Sequence, residues 1–282
     1  MKNSKLLERQ VIDIIQEKYD EIFSAEKKVA DFVLENPHKT VESNVSELAK
    51  LSGVSDATIV RMCRHIGYSG YYQFRITLAR DIGKMQYTES DISESSGAVE
   101  RLFLSYAENL IAIGKGIDEE TMWNCVNLLK NCNVAHVIAS GNTNVLSQYM
   151  DFRLGRLGIK SSFGASVEYY MNHINLAEPE DIVIAISKSG SSKPVLLGME
   201  LAKDKGLKCI AITSYAQSPI SELADYVLLS QGNDLSFNYY KDYAQTNMLA
   251  VIDALLNFVT NIELIKSKQA DKPEIILSEY KV

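Results

Sequence analysis

The stretch DIVIAISKSGSS, residues 181–192, decides the fold class of the C-terminal part of the chain. Its β-branched, apolar run from Ile182 to Ile186 is typical of a strand that is buried on both faces in a parallel sheet. The run ends in small residues and one lysine, and Pro194 then begins a helical pattern. Backbone amides and hydroxyls that converge at a helix N-terminus bind phosphate groups. The stretch therefore predicts a strand, a phosphate-binding loop and a helix.

Strand-like and helical segments alternate on both sides of this stretch. The predicted strands cover residues 134–139, 182–186, 208–213 and 226–229; the predicted helices cover residues 98–113, 119–130, 144–156, 194–205, 219–224 and 243–266. This alternation predicts an α/β domain with a doubly wound parallel sheet. Such sheets bind ligands at the carboxyl ends of their strands. Asn142 and Thr213 lie at such ends and are further ligand candidates, weaker than the serines. Lys188 fits either a phosphate contact or a solvated loop residue.

The N-terminal part of the chain is predicted to be all helical. The predicted helices cover residues 5–18, 24–34, 47–51, 55–67 and 71–83, with serine caps at Ser24, Ser46 and Ser55. Pro37 is expected to end the second of them. A polar, serine-rich stretch follows and predicts a linker. The expected division is a helical domain at 1–84, a linker at 85–97 and an α/β domain at 98–282.

Residues 45–64 fit a helix-turn-helix. Leu48, Val54, Ile59 and Met62 are spaced to face inward, and Gly53 stands where the turn needs a positive φ. The N-terminal residues of a recognition helix face the major groove of DNA. The candidates for contact with base edges are Ser55, Ala57, Thr58 and Arg61, and the candidates for contact with DNA phosphates are Arg64, His65 and Arg75. A helical bundle with a solvated basic face is the alternative, and Cys63 is predicted to be a core residue.

The charge distribution is compatible with DNA binding although the net charge is −7. Residues 1–90 hold 13 Lys and Arg against 13 Asp and Glu, and the remainder holds 16 against 23. Residues 57–80 contain four arginines, one histidine and no carboxylate. A local basic face on a neutral domain can bind DNA, above all in a dimer.

Composition excludes several classes of protein. No apolar run reaches the roughly 18 to 20 residues that a membrane span needs, and residues 1–10 are too polar for a secretory signal. The four cysteines lack CxxC spacing, which indicates neither a zinc site nor a disulfide framework. We expect a cytoplasmic protein without a metal or cofactor.

Two resemblances cover most of the chain. The segments SAEKKVA (24–30), NP (36–37), SELA (46–49), VSDATIVR (54–61) and IGYSGYYQF (66–74) resemble the N-terminal domain of the RpiR/MurR family of bacterial transcriptional regulators. The segments DIVIAISKSG (181–190), RLG (156–158), IAIT (210–213), SP (218–219) and LADY (223–226) resemble the sugar isomerase (SIS) domain that such regulators carry. Met62 stands where this family often has phenylalanine, a change that a core tolerates.

The SIS resemblance implies a flavodoxin-type three-layer sandwich that binds a sugar phosphate. The implied ligand residues are Ser187, Ser189, Gly190, Ser191 and Ser192 in one loop, with Gly141 and Thr143 in another. The second loop departs from the family pattern, because ASGNT (139–143) replaces a loop with a further glycine.

These expectations favour a transcriptional regulator of carbohydrate metabolism, not an enzyme. Its expected partners are operator DNA, a phosphorylated sugar or amino sugar, and a second copy of the chain in a dimer or tetramer. One alternative is an aldose–ketose sugar-phosphate isomerase with an accessory helical domain. It would need a base such as Glu168 or His173, which nothing in the spacing singles out. A ligand-sensing adaptor that binds a protein partner is the other alternative.

Overall fold

A computed structural model of the protein describes residues 10–86, 97–164, 166–232, 244–259 and 272–279. The described residues divide into two compact units, with the boundary between Glu108 and Asn109. Of the predicted linker 85–97, all but residues 85, 86 and 97 lies outside the described ranges. The boundaries 1–84 and 98–282 therefore stay predictions.

Short helices build the first unit. They are α1 (Val11–Lys18), α2 (Ser24–Glu35), α3 (Pro37–Glu42), α4 (Val45–Ser52), α5 (Asp56–His65) and α6 (Tyr71–Gln86), followed in the chain by α7 (Ala98–Gly116). Their apolar faces meet in one core, whose largest fully buried side chains include Ile15, Leu48, Ile59, Met62 and Phe74. Pro37 ends α2 as predicted but also begins α3, because proline is favoured in the first turn of a helix.

Helices α4 and α5 form the helix-turn-helix. Gly53 joins them with φ +65, and the Val54 N–H donates to the Ala49 carbonyl at 2.9 Å. Ser55 caps α5 as predicted, since its hydroxyl accepts from the Thr58 N–H. The predicted cap of α4 at Ser46 is wrong. Asn44 caps that helix, and the Ser46 hydroxyl instead donates to Asp56 at 2.7 Å, which fastens α4 to α5.

The second unit is built on a five-stranded sheet. Its strands are β1 (Ala135–Ala139), β2 (Ser161–Phe163), β3 (Ile182–Ile186), β4 (Lys208–Thr213) and β5 (Tyr226–Leu229). All pairings are parallel and the order is β2-β1-β3-β4-β5. Because β1 lies between β2 and β3, the chain leaves β1 toward one side and later builds the other, which creates a switch point in the strand order.

Helices cover both faces of the sheet. One face packs against α8 (Glu119–Asn131), α9 (Asn144–Arg156) and α13 (Ala244–Phe258). The other packs against α10 (Val167–Asn175), α11 (Lys193–Asp204) and α12 (Pro219–Leu223). Burial on both faces explains why β1 and β3 are apolar at every position but one. The predicted doubly wound α/β fold is confirmed.

In the second unit, the structure adds elements that the sequence pattern did not predict. These are the short edge strand β2, helix α10 and a C-terminal helix, α14 (Lys272–Ser278). The predicted helix 243–266 is described only as α13, and residues 260–266 lie outside the described ranges. Among the described helices, none combines the length and hydrophobicity that a membrane span requires.

The centre of the sheet gives a test of this packing. Ile184 in β3 pairs with Val137 on one side and Ile210 on the other, and it is fully buried. We expect Ile184→Ala to lower the free energy of unfolding by about 2–5 kcal/mol, because it leaves a cavity in the core. Trp123 is the single tryptophan of the chain and lies in the second unit, so its fluorescence during urea unfolding reports on that unit.

The control is Leu176→Ala. Leu176 is 79% exposed at the end of α10, and its truncation is expected to change the unfolding free energy by less than about 0.5 kcal/mol. Equal losses in the two variants would contradict the burial of β3.

Candidate functional site

The loops that follow β1 and β3 meet at the switch point of the sheet. Ala139 and Ile186, the last residues of the two strands, are paired with each other. The loop after β1 folds into a 3₁₀ turn over Gly141–Thr143 and leads directly into α9. The Thr143 hydroxyl lies 3.0 Å from the Ser140 carbonyl and 3.2 Å from the Ile186 carbonyl. Thr143 therefore joins the two loops, which places the predicted ligand residues of both at one edge.

The serine loop, residues 187–192, carries hydroxyls to the N-terminus of α11. The hydroxyl groups of Ser189 and Ser191 are 3.1 Å apart, and the Ser191 N–H donates to the Ser189 hydroxyl at 3.3 Å. Ser192 is the N-cap residue of α11, yet its hydroxyl makes no capping bond. The first N–H groups of a helix have no acceptor within the helix, and the helix dipole is positive there. This end of α11 can accept an anion.

Gly190 is required by the shape of the serine loop. Its φ is +64, and a Cβ atom at this position would lie 2.1 Å from the Ser218 hydroxyl. The Gly190 carbonyl also accepts from the Ile220 N–H at 3.0 Å. The loop after β4 therefore presses directly on the backbone of the serine loop, and only glycine fits between them.

Buried groups support the serine loop from below. The Lys188 carbonyl accepts from the Thr213 hydroxyl and from the Ser214 N–H, each at 3.1 Å. Thr213 is fully buried, so this weaker ligand candidate supports the loop instead of facing a ligand. Ser187 is 3% exposed and its N–H donates to the Ile212 carbonyl, whereas the other three serines are partly exposed. The accessible hydroxyls of the loop belong to Ser189, Ser191 and Ser192.

One neighbour of this edge was missed by the sequence reasoning. Gln245, in the first turn of α13, donates from Nε2 to the Asn142 carbonyl at 3.3 Å. Both residues are exposed, and the contact fixes one end of α13 to the loop after β1. Nothing in the sequence pattern distinguished Gln245 from the other polar residues of α13.

The two candidate bases of an isomerase differ in environment. Glu168 is exposed in the first turn of α10, and hydrogen bonds from its own backbone N–H and from the Ser166 side chain lower its pKa. His173 is half-buried, and its ring contacts that of Tyr169 in a tilted arrangement, with centroids 4.8 Å apart. With a lowered pKa, Glu168 is ionised at neutral pH. Its side chain is also exposed to water.

A cavity of about 440 Å³ lies elsewhere in the second unit. Its lining includes Cys132 and Asn133, which precede β1, and Gly158 and Lys160, which precede β2. The cavity is therefore at the amino ends of the strands. Ligands of this fold class bind at the opposite, carboxyl ends of the strands, where the serine loop lies.

In the first unit, most of the predicted DNA-contacting residues share an open face of α5. Ser55, Ala57, Arg61, Arg64 and His65 are exposed. Thr58 was predicted to lie beside them but is 8% exposed, because its hydroxyl and its N–H both turn back to the hydroxyl of the Ser55 cap.

Arg75 corrects the predicted set of phosphate contacts. It is 5% exposed, and its Nε donates to the Val41 carbonyl at 2.7 Å. It therefore connects α6 to α3 inside the unit, in a position that DNA phosphates do not reach. The prediction rested on charge alone, and the burial of this arginine comes from tertiary packing.

The open face of α5 has a buried acidic residue behind it. Glu26 of α2 is fully buried and accepts from Arg61 Nε at 2.6 Å and from His65 Nδ1 at 2.8 Å. Burial raises the pKa of Glu26, but the hydrogen bonds from Arg61, His65 and the Phe23 N–H outweigh it and hold the pKa below its ordinary value. The sequence reasoning did not single out Glu26.

Comparison with known proteins matches each unit separately. The family model described as the helix-turn-helix domain, rpiR family, matches residues 9–85, and the model of the SIS domain matches residues 128–258. An uncharacterised HTH-type transcriptional regulator of Haemophilus influenzae is 27% identical over 96% of this chain and 98% of its own length. The uncharacterised HTH-type transcriptional regulator YbbH of Bacillus subtilis is 26% identical over 86% of this chain and 87% of its own.

A solved structure extends the likeness to the fold of both units. The NanR protein of Vibrio vulnificus, complexed with ManNAc-6P, aligns with a TM-score of 0.74. It is 24% identical, and the alignment covers 96% of this chain and 97% of that one.

Two glycines with nearly equal φ provide a test of the serine loop. Gly190 has φ +64 and Gly141 has φ +63, but a Cβ atom at Gly141 would meet nothing within 4 Å. Gly141→Ala adds backbone strain alone, which costs about 1–2 kcal/mol. Gly190→Ala adds the clash with Ser218 to the same strain. We expect it to lower the unfolding free energy further, by at least about 1 kcal/mol, in urea unfolding followed by Trp123 fluorescence. Equal effects at the two glycines would contradict the close approach of Ser218.

Proposed function

Because this chain belongs to the rpiR family of helix-turn-helix transcriptional regulators, we propose that its SIS domain senses a phosphorylated sugar and that α5 reads operator DNA. The observation that carries the effector proposal is the serine loop, held at the switch point beside the N-terminus of α11. Its hydroxyls and amides are donors, and a phosphate group accepts hydrogen bonds through three oxygens.

The effector class is a phosphorylated sugar or amino sugar. NanR of Vibrio vulnificus was solved with ManNAc-6P, and it shares the fold of both units. In this chain the phosphate group would contact Ser189, Ser191, Ser192 and the Gly190 backbone. The sugar would extend toward Gly141 and Thr143. The hydrogen bond from the Thr143 hydroxyl to the Ile186 carbonyl holds this loop beside the end of β3.

The regulator works as a sensor and not as an isomerase. An isomerase needs a general base with a pKa near the working pH, so that it can both take and return a proton. Glu168, one of the two candidate bases, is exposed and its pKa is lowered, away from a working pH near neutral. If the purified protein interconverted the aldose and ketose forms of a sugar phosphate, the isomerase hypothesis would be favoured instead.

DNA binding would use two copies of the chain. A helix-turn-helix dimer places its recognition helices one turn of DNA apart, roughly 34–36 Å, on a near-palindromic operator. A dimer or tetramer supplies the second helix. It also compensates for the few basic side chains on each open face of α5.

The effector proposal is tested by Ser189→Ala and Ser192→Ala. Each hydroxyl that donates to a phosphate oxygen contributes about 1.5–3 kcal/mol, so we expect each variant to bind at least about tenfold more weakly. Thermal unfolding of the full-length protein, titrated with hexose 6-phosphates, amino-sugar 6-phosphates and the parent sugars, measures this loss. The wild-type protein should respond to a phosphorylated member alone.

The control is Ser278→Ala. The Ser278 hydroxyl is exposed and donates within α14, and its loss should leave the titration unchanged. Equal stabilisation of the wild-type protein and both loop variants would reject the serine loop as the phosphate site.

The DNA proposal is tested by Arg61→Ala. A bidentate contact from arginine to guanine discriminates against other bases by about 1–3 kcal/mol. We expect the variant to lose preference for duplexes that the wild-type protein selects from a random pool, while weak binding to random duplex remains. Gel shifts at fixed salt measure both affinities. Lys28→Ala, which removes the same charge from an exposed position on α2, is the control and should keep the preference. Unchanged preference in Arg61→Ala would reject the assignment.

A further inference from the structure

Glu26 is the one fully buried carboxylate among the described residues of the first unit. It lies at the third position of α2, and its two oxygens face different partners. Oε1 accepts from Arg61 Nε at 2.6 Å, and Oε2 accepts from His65 Nδ1 at 2.8 Å. Oε2 also accepts from the Phe23 N–H at 3.2 Å, at the N-terminus of α2.

Burial of this carboxylate is costly without partners of opposite charge. The two side-chain partners of Glu26 both come from α5, and both lie on its open face. The side chain of Arg61 is 52% exposed and that of His65 is 41% exposed. The buried carboxylate of Glu26 is thus hydrogen-bonded to two side chains of the open face of α5.

The contact fixes the guanidinium of Arg61 through one atom. Nε is bound to Glu26, so the two Nη groups keep their donors for another acceptor. Two parallel N–H groups are what the O6 and N7 atoms of guanine accept in the major groove. The His65 ring beside it is held by the same carboxylate and packs against Phe23, with ring centroids 5.3 Å apart. Arginine side chains otherwise lose much conformational entropy when they bind.

We propose that Glu26 is a positioning residue for sequence-specific DNA recognition, holding Arg61 by Nε so that its two Nη groups read a guanine. This inference rests on the proposed DNA-binding function. It assigns a recognition role to α2, a helix that does not belong to the helix-turn-helix itself. It also gives Arg61 a different role from Arg64. The Nε of Arg64 donates to the Ser69 carbonyl at 3.3 Å, an exposed contact with a loop and not with a buried carboxylate.

The inference predicts opposite effects on specific and non-specific binding. Glu26→Gln keeps the size of the side chain and an oxygen that can accept from the Phe23 N–H, but it removes the negative charge behind Arg61. A freed guanidinium reads guanine less well, so discrimination at that base pair should fall about tenfold. Loss of a negative charge near DNA should leave binding to random duplex unchanged or stronger. A purely structural role would weaken both kinds of binding alike.

The experiment uses the full-length protein and duplexes that it selects from a random pool. The guanine read by Arg61 is the position whose preference disappears in Arg61→Ala. Discrimination at that position is then measured for the wild-type protein, for Glu26→Gln and for Glu35→Gln. Glu35 is exposed at the other end of α2, so its variant removes the same charge without touching α5 and should discriminate like the wild-type protein.

A double-mutant cycle separates positioning from folding. If Glu26 acts through Arg61, Glu26→Gln should cause no further loss of discrimination in the Arg61→Ala background. Thermal unfolding checks that each variant is folded. Should Glu26→Gln unfold, Glu26→Asp gives the same test, because its shorter carboxylate keeps the charge but withdraws it from Nε.

The outcomes distinguish this inference from the proposed function. A wild-type protein that selects no sequence would overturn both. Selection by the wild-type protein with unchanged discrimination in Glu26→Gln would overturn the positioning role alone. A parallel loss on selected and random duplexes, or a change confined to the salt dependence of binding, would also overturn it, since Arg61 would then contact phosphate.

Discussion

The parallel pairing of β1 with β3 is the constraint on which the second unit depends. It brings Ala139 and Ile186 side by side at the carboxyl edge, where the chain leaves each strand toward a different helix. Two loops that are more than forty residues apart in the chain therefore lie at one edge of the sheet. The Thr143 hydroxyl lies within hydrogen-bond distance of the Ser140 and Ile186 carbonyls and holds the two loops together. Without that pairing, the serine loop would connect β3 to α11 with no second loop beside it.

Both candidate sites are built in two layers, with accessible groups in front and buried polar groups behind. Behind the serine loop, Thr213 holds the Lys188 carbonyl and Ser218 lies against Gly190. Behind the open face of α5, Glu26 holds Arg61 and His65. A buried polar group loses much more free energy when it is unpaired than an exposed group does, so these contacts are rigid. Rigid support reduces the entropy that the accessible groups lose on binding.

The sequence predicted most of the second unit because its strands are buried runs of β-branched residues. Residues 182–186 and 208–213 have the limits that the pattern indicated. The edge strand β2 was missed because three residues carry too little periodicity, and its pattern is polar. In the site, the serine loop and its glycine were readable from composition next to a strand. The contact that makes the glycine necessary comes from Ser218, which is far along the chain.

The first unit shows where local patterns fail. Helical spacing placed Thr58 with Arg61, but Thr58 is buried and its hydroxyl is hydrogen-bonded to that of the Ser55 cap. Charge placed Arg75 at the DNA surface, but the Val41 carbonyl holds it inside. Glu26 looked like any surface carboxylate of an amphipathic helix. Its partners are 35 and 39 residues away, so tertiary packing alone reveals its role.

Sensing and reading are separate tasks in this chain, and a ligand connects them only through differential binding. An effector that bound the DNA-competent and DNA-incompetent arrangements equally would change nothing, however tightly it bound. A coupling of ~1–3 kcal/mol is typical, and it requires that some group contact the effector in one arrangement and lose that contact in the other. The rigid support of the serine loop makes the phosphate end a poor place for such a change. The loop after β1 is different, because its Asn142 carbonyl is held by an exposed side chain of α13. On the proposed sensor function, a difference of one hydrogen bond at this loop is of the required size.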